Sequence, residues 1–118
     1  MELEGKVPLV TGASGGIGAA IARRLHDAGA LGGLLSRRGE DLGLERGFGV
    51  ACDVRDRDAV ETAAEAVVER CGRLDIVVAN AGVGAYGPFL ELDPEQLEAM
   101  IDVNLKGTLY TRPRHWAI

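Results

Sequence analysis

Thr11-Gly12-Ala13-Ser14-Gly15-Gly16-Ile17-Gly18 is the stretch on which the fold of this chain turns. Just upstream lies the apolar run Val7-Pro8-Leu9-Val10. Just downstream, Ile17, Ile21 and Leu25 recur every four residues, which predicts a helix over 17–28 with one apolar face and Gly29 as its stop. Small residues between a strand and a helix let backbone N–H groups approach a pyrophosphate, and the positive end of the helix dipole adds to the attraction. In this reading Gly12 allows the tight turn, Gly16 allows close approach and Gly18 lets helix pack on strand. The stretch lacks the Gly-Lys-Ser/Thr of a P-loop nucleotide hydrolase. A tight turn with no ligand is the plainer reading of the same residues.

Outward from there, short apolar runs alternate with helical patterns, as in an open parallel sheet with crossover helices. Leu31-Gly32-Gly33-Leu34-Leu35 reads as a second strand ending at Ser36-Arg37-Arg38, and Gly49-Val50-Ala51-Cys52 as a third ending at Asp53. The glycine-dotted segment from Gly39 to Gly49 has room for about two helical turns at most, short for a crossover. Residues 57–71 read as a helix with Asp56 as N-cap, Gly72 as stop, and Val60, Ala64, Val67 and Cys71 along one face. Ile76-Val77-Val78-Ala79 is all apolar and reads as a fourth strand covered on both faces. Asp93-Pro94-Glu95-Gln96 opens a last helix: Asp93 suits the N-cap, Pro94 the first position and Gln96 a capping box. Leu97, Ile101 and Leu105 form its expected apolar stripe, and Pro113 should end any helix. The expected fold is α/β, a partial doubly wound parallel sheet of Rossmann type, in strand order 3-2-1-4 with helices on both faces.

Composition narrows the function classes. At 118 residues the chain suffices for one domain with a modest core. Thirteen Lys and Arg against 18 Asp and Glu give a net charge of −5, a poor match for a nucleic-acid binder. No apolar run reaches the ~18 residues of a membrane span, and Met1 to Lys6 lacks the apolar stretch of a signal peptide. Cys52 and Cys71 make no C-x-x-C and no metal pattern; they read as reduced thiols of a cytoplasmic protein. Seventeen glycines, roughly twice the usual ~7%, suggest backbone packed close to helix, sheet or ligand.

Four motifs in order resemble those of the short-chain dehydrogenase/reductase family over about residues 5–111. Thr-Gly-x-x-x-Gly-x-Gly at 11–18 resembles the cofactor loop, and Cys52-Asp53-Val54 the Asp motif after the third strand, whose carboxylate accepts from the adenine amino group. Asn80-Ala81-Gly82 resembles the motif that steadies the sheet and borders the cofactor. Asn104 matches the asparagine of the catalytic tetrad. The resemblance implies hydride transfer between a nicotinamide and a carbonyl or alcohol carbon. It implies cofactor contacts from Gly12, Ser14, Gly16, Ile17 and Gly18 at the pyrophosphate, Asp53 and Val54 at adenine, and Asn80 and Gly82 on the ribose side. Residues 1–111 are then a dinucleotide-binding half-domain and 112–118 a divergent tail. Read without the family, Asp53 caps a turn, Asn80 is a turn residue and Asn104 an ordinary helix residue.

An acidic residue at the end of the second strand accepts ribose hydroxyls in NAD-type sites. Ser36-Arg37-Arg38 stands there instead. A guanidinium pairs with a 2′-phosphate, so NADP(H) is preferred to NAD(H), with Arg37 as first ligand and Ser36 as helper. Gly15 stands where some NADP-type members carry a basic residue, and solvated loop arginines remain the plain alternative.

The family's proton chemistry uses a Tyr-x-x-x-Lys pair and a serine. Tyr86 and Tyr110 are followed four residues on by Leu90 and Arg114, and Lys106 precedes Tyr110. Ser14 and Ser36 are already at cofactor positions, and His26 and His115 read as non-catalytic. The family is typically about twice this length, so a truncated or frameshifted frame is expected, inactive alone, with substrate handled only in a full-length form. Pro8 in a central strand, the strand glycines Gly32 and Gly33, the short connection from Gly39 to Gly49 and a bare fourth-strand edge are expected to weaken it. A rival reading is a non-catalytic dinucleotide-binding or subunit-association module, pairing through the last helix or the fourth-strand edge, or a non-functional remnant.

Overall fold

A computed structural model describes residues 2–112. Pro113, His115 and the rest of the expected tail from 113 onward lie outside those residues. The chain order is β1 (Pro8–Thr11), α1 (Gly16–Asp27), β2 (Gly32–Ser36), β3 (Gly47–Ala51), α2 (Arg57–Cys71) and β4 (Ile76–Val78). A 3-10 turn at Phe89–Glu91 leads into α3 (Pro94–Met100), which continues as a π-helical stretch (Ile101–Gly107) and a last turn, α4 (Thr108–Tyr110). The four strands form one parallel sheet in the order β3-β2-β1-β4. Among the described residues no helix is long and apolar enough to cross a membrane.

Strand alternation sorts the core into two layers. Leu9 and Leu35 face α2, with Phe48, Val60, Ala63 and Val67. Val10 and Leu34 face α1, with Ala13 and Ala22. Burying β1 and β2 on both faces explains why they read as continuous apolar runs. α2 matches its expected bounds: Asp56 accepts from Ala59 N–H at 3.1 Å, and Gly72 closes the helix.

Three expectations change. The buried face of α1 is Gly18, Ala19 and Ala22, with Ile21 and Leu25 half-buried and Ile17 73% exposed. Small residues let the helix backbone sit close to the sheet, which turns Ile17 outward. β4 is half-buried throughout, because no strand pairs with its outer edge among the described residues. The last helix does not bury Leu97, Ile101 and Leu105: Ile101 and Leu105 are more than half exposed, and Val103, Gly107 and Tyr110 face inward. The π winding shifts the phase of the stripe partway along. Gln96 does close the start of α3, its Oε1 accepting from Asp93 N–H at 3.0 Å.

Gly32 and Gly33 also read differently in place. A Cβ at Gly32 would collide with the Pro8 carbonyl and stand 2.6 Å from the Pro8 ring Cδ. A Cβ at Gly33 would stand 2.5 Å from Val67 Cγ2. These glycines make room for the proline beside them and for α2 above them. The β2–β3 connection holds turns and no helix, with Leu42 at a strained φ of 58°. Arg46 fastens its far end under α1, Nη2 donating to His26 O at 2.5 Å.

Candidate functional site

The site opens where β1 ends and α1 begins. Thr11 is buried, and its Oγ1 accepts from the N–H groups of Asn80 and Ala81, both at 3.0 Å. Asn80 Nδ2 donates to Gly12 O at 3.3 Å. These bonds tie the tips of β1 and β4 together across the loop. Gly12 takes φ 63°, and a Cβ there would stand 2.9 Å from Ala81 Cα. A Cβ at Gly18 would collide with Gly12 O, so helix, turn and Asn80 meet at one point.

On the outer side the loop is bare. Ser14, Gly15, Gly16 and Ile17 are exposed, and nothing lies within 4 Å of a Cβ placed at Gly15 or Gly16. Gly15 is the N-cap of α1, no side chain caps the helix and its first turn has no acidic residue. The leading amides therefore keep their donors and the positive end of the dipole. They border a cavity of about 580 Å³ lined by Gly12, Ser14, Gly15, Ile17, Arg37 and Asp53, among others. Its walls also include Ser36, Val54, Asn80 and Gly82. A cradle of uncapped amides beside open space fits a diphosphate.

The far wall is charged. Ser36 is buried, and its Oγ accepts from Gly39 N–H at 3.0 Å, which shapes the turn under Arg37. Arg37 faces the cavity, whereas Arg38 is 3.6 Å from Glu40. Asp53 is gripped by Arg55, whose guanidinium holds its carboxyl below the usual range; Arg37 nearby adds to this. Burial pushes the Cys52 thiol up to about 11, with Asp53 and Asp56 adding to it, so Cys52 is a protonated wall residue. Val54 is buried under Gly107, where a Cβ would stand 2.7 Å from Val54 Cγ2.

Asn104 sits behind this wall, inside the π-helical stretch. Its Nδ2 donates to Val83 O and its Oδ1 accepts from Val83 N–H, both at 2.8 Å. Thr108 Oγ1 donates to Asn104 O at 2.7 Å. Asn104 therefore positions the loop after β4, and Val83 lines the cavity in front of it. The sequence alone does not mark two contributors. Thr11 opens the motif yet shows its role only when β4 comes alongside. Arg55 follows Asp53 by two residues, and nothing in the spacing says that it folds back.

The chain matches the family model for short chain dehydrogenase over residues 6–113. It belongs to that family. It is 43% identical over 117 residues to a D-threitol dehydrogenase of Mycolicibacterium smegmatis, covering 90% of this chain and 44% of that protein. A 3-ketoacyl-(acyl-carrier-protein) reductase from Brucella melitensis, solved with NADH, superposes at TM-score 0.86 and 32% identity over 92% of this chain and 48% of that one. A short chain dehydrogenase from Burkholderia cenocepacia, solved with NADP, superposes at TM-score 0.87 and 35% identity over 94% and 49%. The chain spans about half the length of these relatives.

Proposed function

We propose that the chain binds NADP(H) in this cavity, as the cofactor-holding half of an oxidoreductase acting on a carbonyl or alcohol. The observation that carries the proposal is the uncapped N-terminus of α1 opening onto a cavity with Arg37 and Asp53 on its far wall. Ser14 and the amides of Gly16, Ile17 and Gly18 hold the pyrophosphate. Asp53 and Val54 take the adenine, and Asn80 and Gly82 border the ribose. The nicotinamide, when bound, supplies or accepts the hydride. Arg37 pairs with the 2′-phosphate, helped by Ser36, where a carboxylate would repel it. Asn104 belongs to the catalytic relay through the loop it positions. The sequence contains no Tyr-x-x-x-Lys, so these 118 residues alone bind cofactor without turning over substrate.

Titration of the chain with NADP+ and NAD+ tests this. Arg37→Ala is expected to lower NADP+ affinity by about tenfold or more and leave NAD+ nearly unchanged, the loss of one charge-assisted contact. Equal loss for both dinucleotides, or none, rejects Arg37 as the phosphate ligand.

A second reading is association through the last helix. Ile101, Leu105 and Leu109 are each more than half exposed, and Phe89 and Leu90, in the turn that precedes α3, are exposed as well. Sedimentation of the chain with and without NADP+ separates the readings: a soluble binding species favours the cofactor module, and assembly without binding favours association alone.

A further inference from the structure

We infer that Arg55 is a positioning residue for the purine end of the site: its fork locks the Asp53 carboxylate, and the locked carboxylate selects a 6-amino purine over a 6-oxo purine. The inference rests on the cofactor reading above and deepens it. Asp53 and Arg55 both line the cavity. Arg55 reaches back over two residues. Its backbone N–H donates to Oδ1 at 3.0 Å, Nε to Oδ1 at 3.0 Å and to Oδ2 at 3.1 Å, and Nη2 to Oδ2 at 2.6 Å.

Those contacts decide what the carboxylate can still do. An ionised carboxylate has about four lone-pair directions and no donor. One residue occupies most of them and fixes the carboxylate plane, as bidentate guanidinium pairs do. The remaining acceptor capacity is held in a fixed plane on the cavity wall. A ring amine satisfies it, whereas a ring carbonyl sets lone pair against lone pair. Without the clamp the carboxylate turns freely, yields to the carbonyl and lets water stand between them, so selection weakens.

The side chains of Asp53 and Arg55 are 36% and 50% exposed. An ion pair this open adds little to stability. Selectivity therefore separates from folding, and the two can be measured apart.

The experiment compares binding of NADP+ and its hypoxanthine counterpart to the full chain and to Arg55→Ala, Arg55→Lys and Asp53→Asn, with circular dichroism as the folding control. The native chain prefers NADP+. That preference falls at least about threefold in Arg55→Ala, the scale of one well-aligned hydrogen bond. It falls similarly in Arg55→Lys, which keeps the charge and loses the fork. Adding Arg55→Ala to Asp53→Asn changes it no further, because the two residues act as one unit. A preference within about twofold of native in folded Arg55→Ala overturns the inference, being smaller than one hydrogen bond. Full rescue by Arg55→Lys also overturns it. Failure of NADP+ to bind the native chain rejects the cofactor reading itself, and this one with it.

Discussion

Gly18 occupies a point where no side chain fits. A Cβ there meets the Gly12 carbonyl and stands 2.6 Å from Asn80 Nδ2, so α1 must back away from β1 to admit even one methyl. Overpacking of this kind costs about 1–3 kcal/mol. Gly18→Ala is expected to lose that much stability in urea melts and, because the displaced amides no longer converge, to bind NADP+ more weakly. A variant with native stability and native affinity contradicts the packing described. Residues of this kind were legible in the sequence because their constraint is local: a glycine between strand and helix announces close approach. Arg55 and Thr11 were not, because what they do depends on a partner's orientation or on Asn80, 69 residues away.

Elements are held in register by side chains at their ends. Val7 N–H donates to Asp75 Oδ2 at 2.8 Å, fastening the approach to β1 to that of β4. Arg73 bonds Asp75 Oδ1 at 2.7 and 2.9 Å and holds this carboxyl below the usual range. A depressed carboxyl stabilises the fold fully above its unfolded pKa, about 3.9. That stabilisation is lost as pH falls through the lower folded value. Thermal midpoints should therefore fall on acidification through this range, and Asp75→Asn should flatten the profile; an unchanged profile contradicts the assignment. Asn104 holds the loop after β4 from both sides of Val83. Asn104→Ala is expected to speed amide exchange at Val83 and to cost about 1 kcal/mol, the net value of such bonds. Unaltered exchange there removes the buttress.

The same scale shows where sequence periodicity stops. It located α2 to the residue, since an uninterrupted 3.6-residue repeat keeps its phase. It misplaced the buried face of the last helix, because the π winding over Ile101–Gly107 resets the phase without any sequence break. It marked Gly32 and Gly33 as weak strand residues, because the Pro8 ring and Val67 that they accommodate come from other elements.

The described residues form a four-stranded parallel sheet with β4 at one margin, and the last helix leaves Ile101, Leu105 and Leu109 exposed. Its strand order was legible because right-handed crossovers leave few alternatives once four short apolar runs are recognised. What the sheet exists to hold depends on the mouth of α1. Amide chemical shifts of the labelled chain, followed during titration with NADP+, address this residue by residue. Saturable shifts at Ala13–Gly18, Arg37, Asp53–Val54 and Asn80–Val83 are predicted. Saturation that leaves residues 12–18 unmoved, or shifts confined to the helix face at Ile101 and Leu105, would contradict the diphosphate cradle.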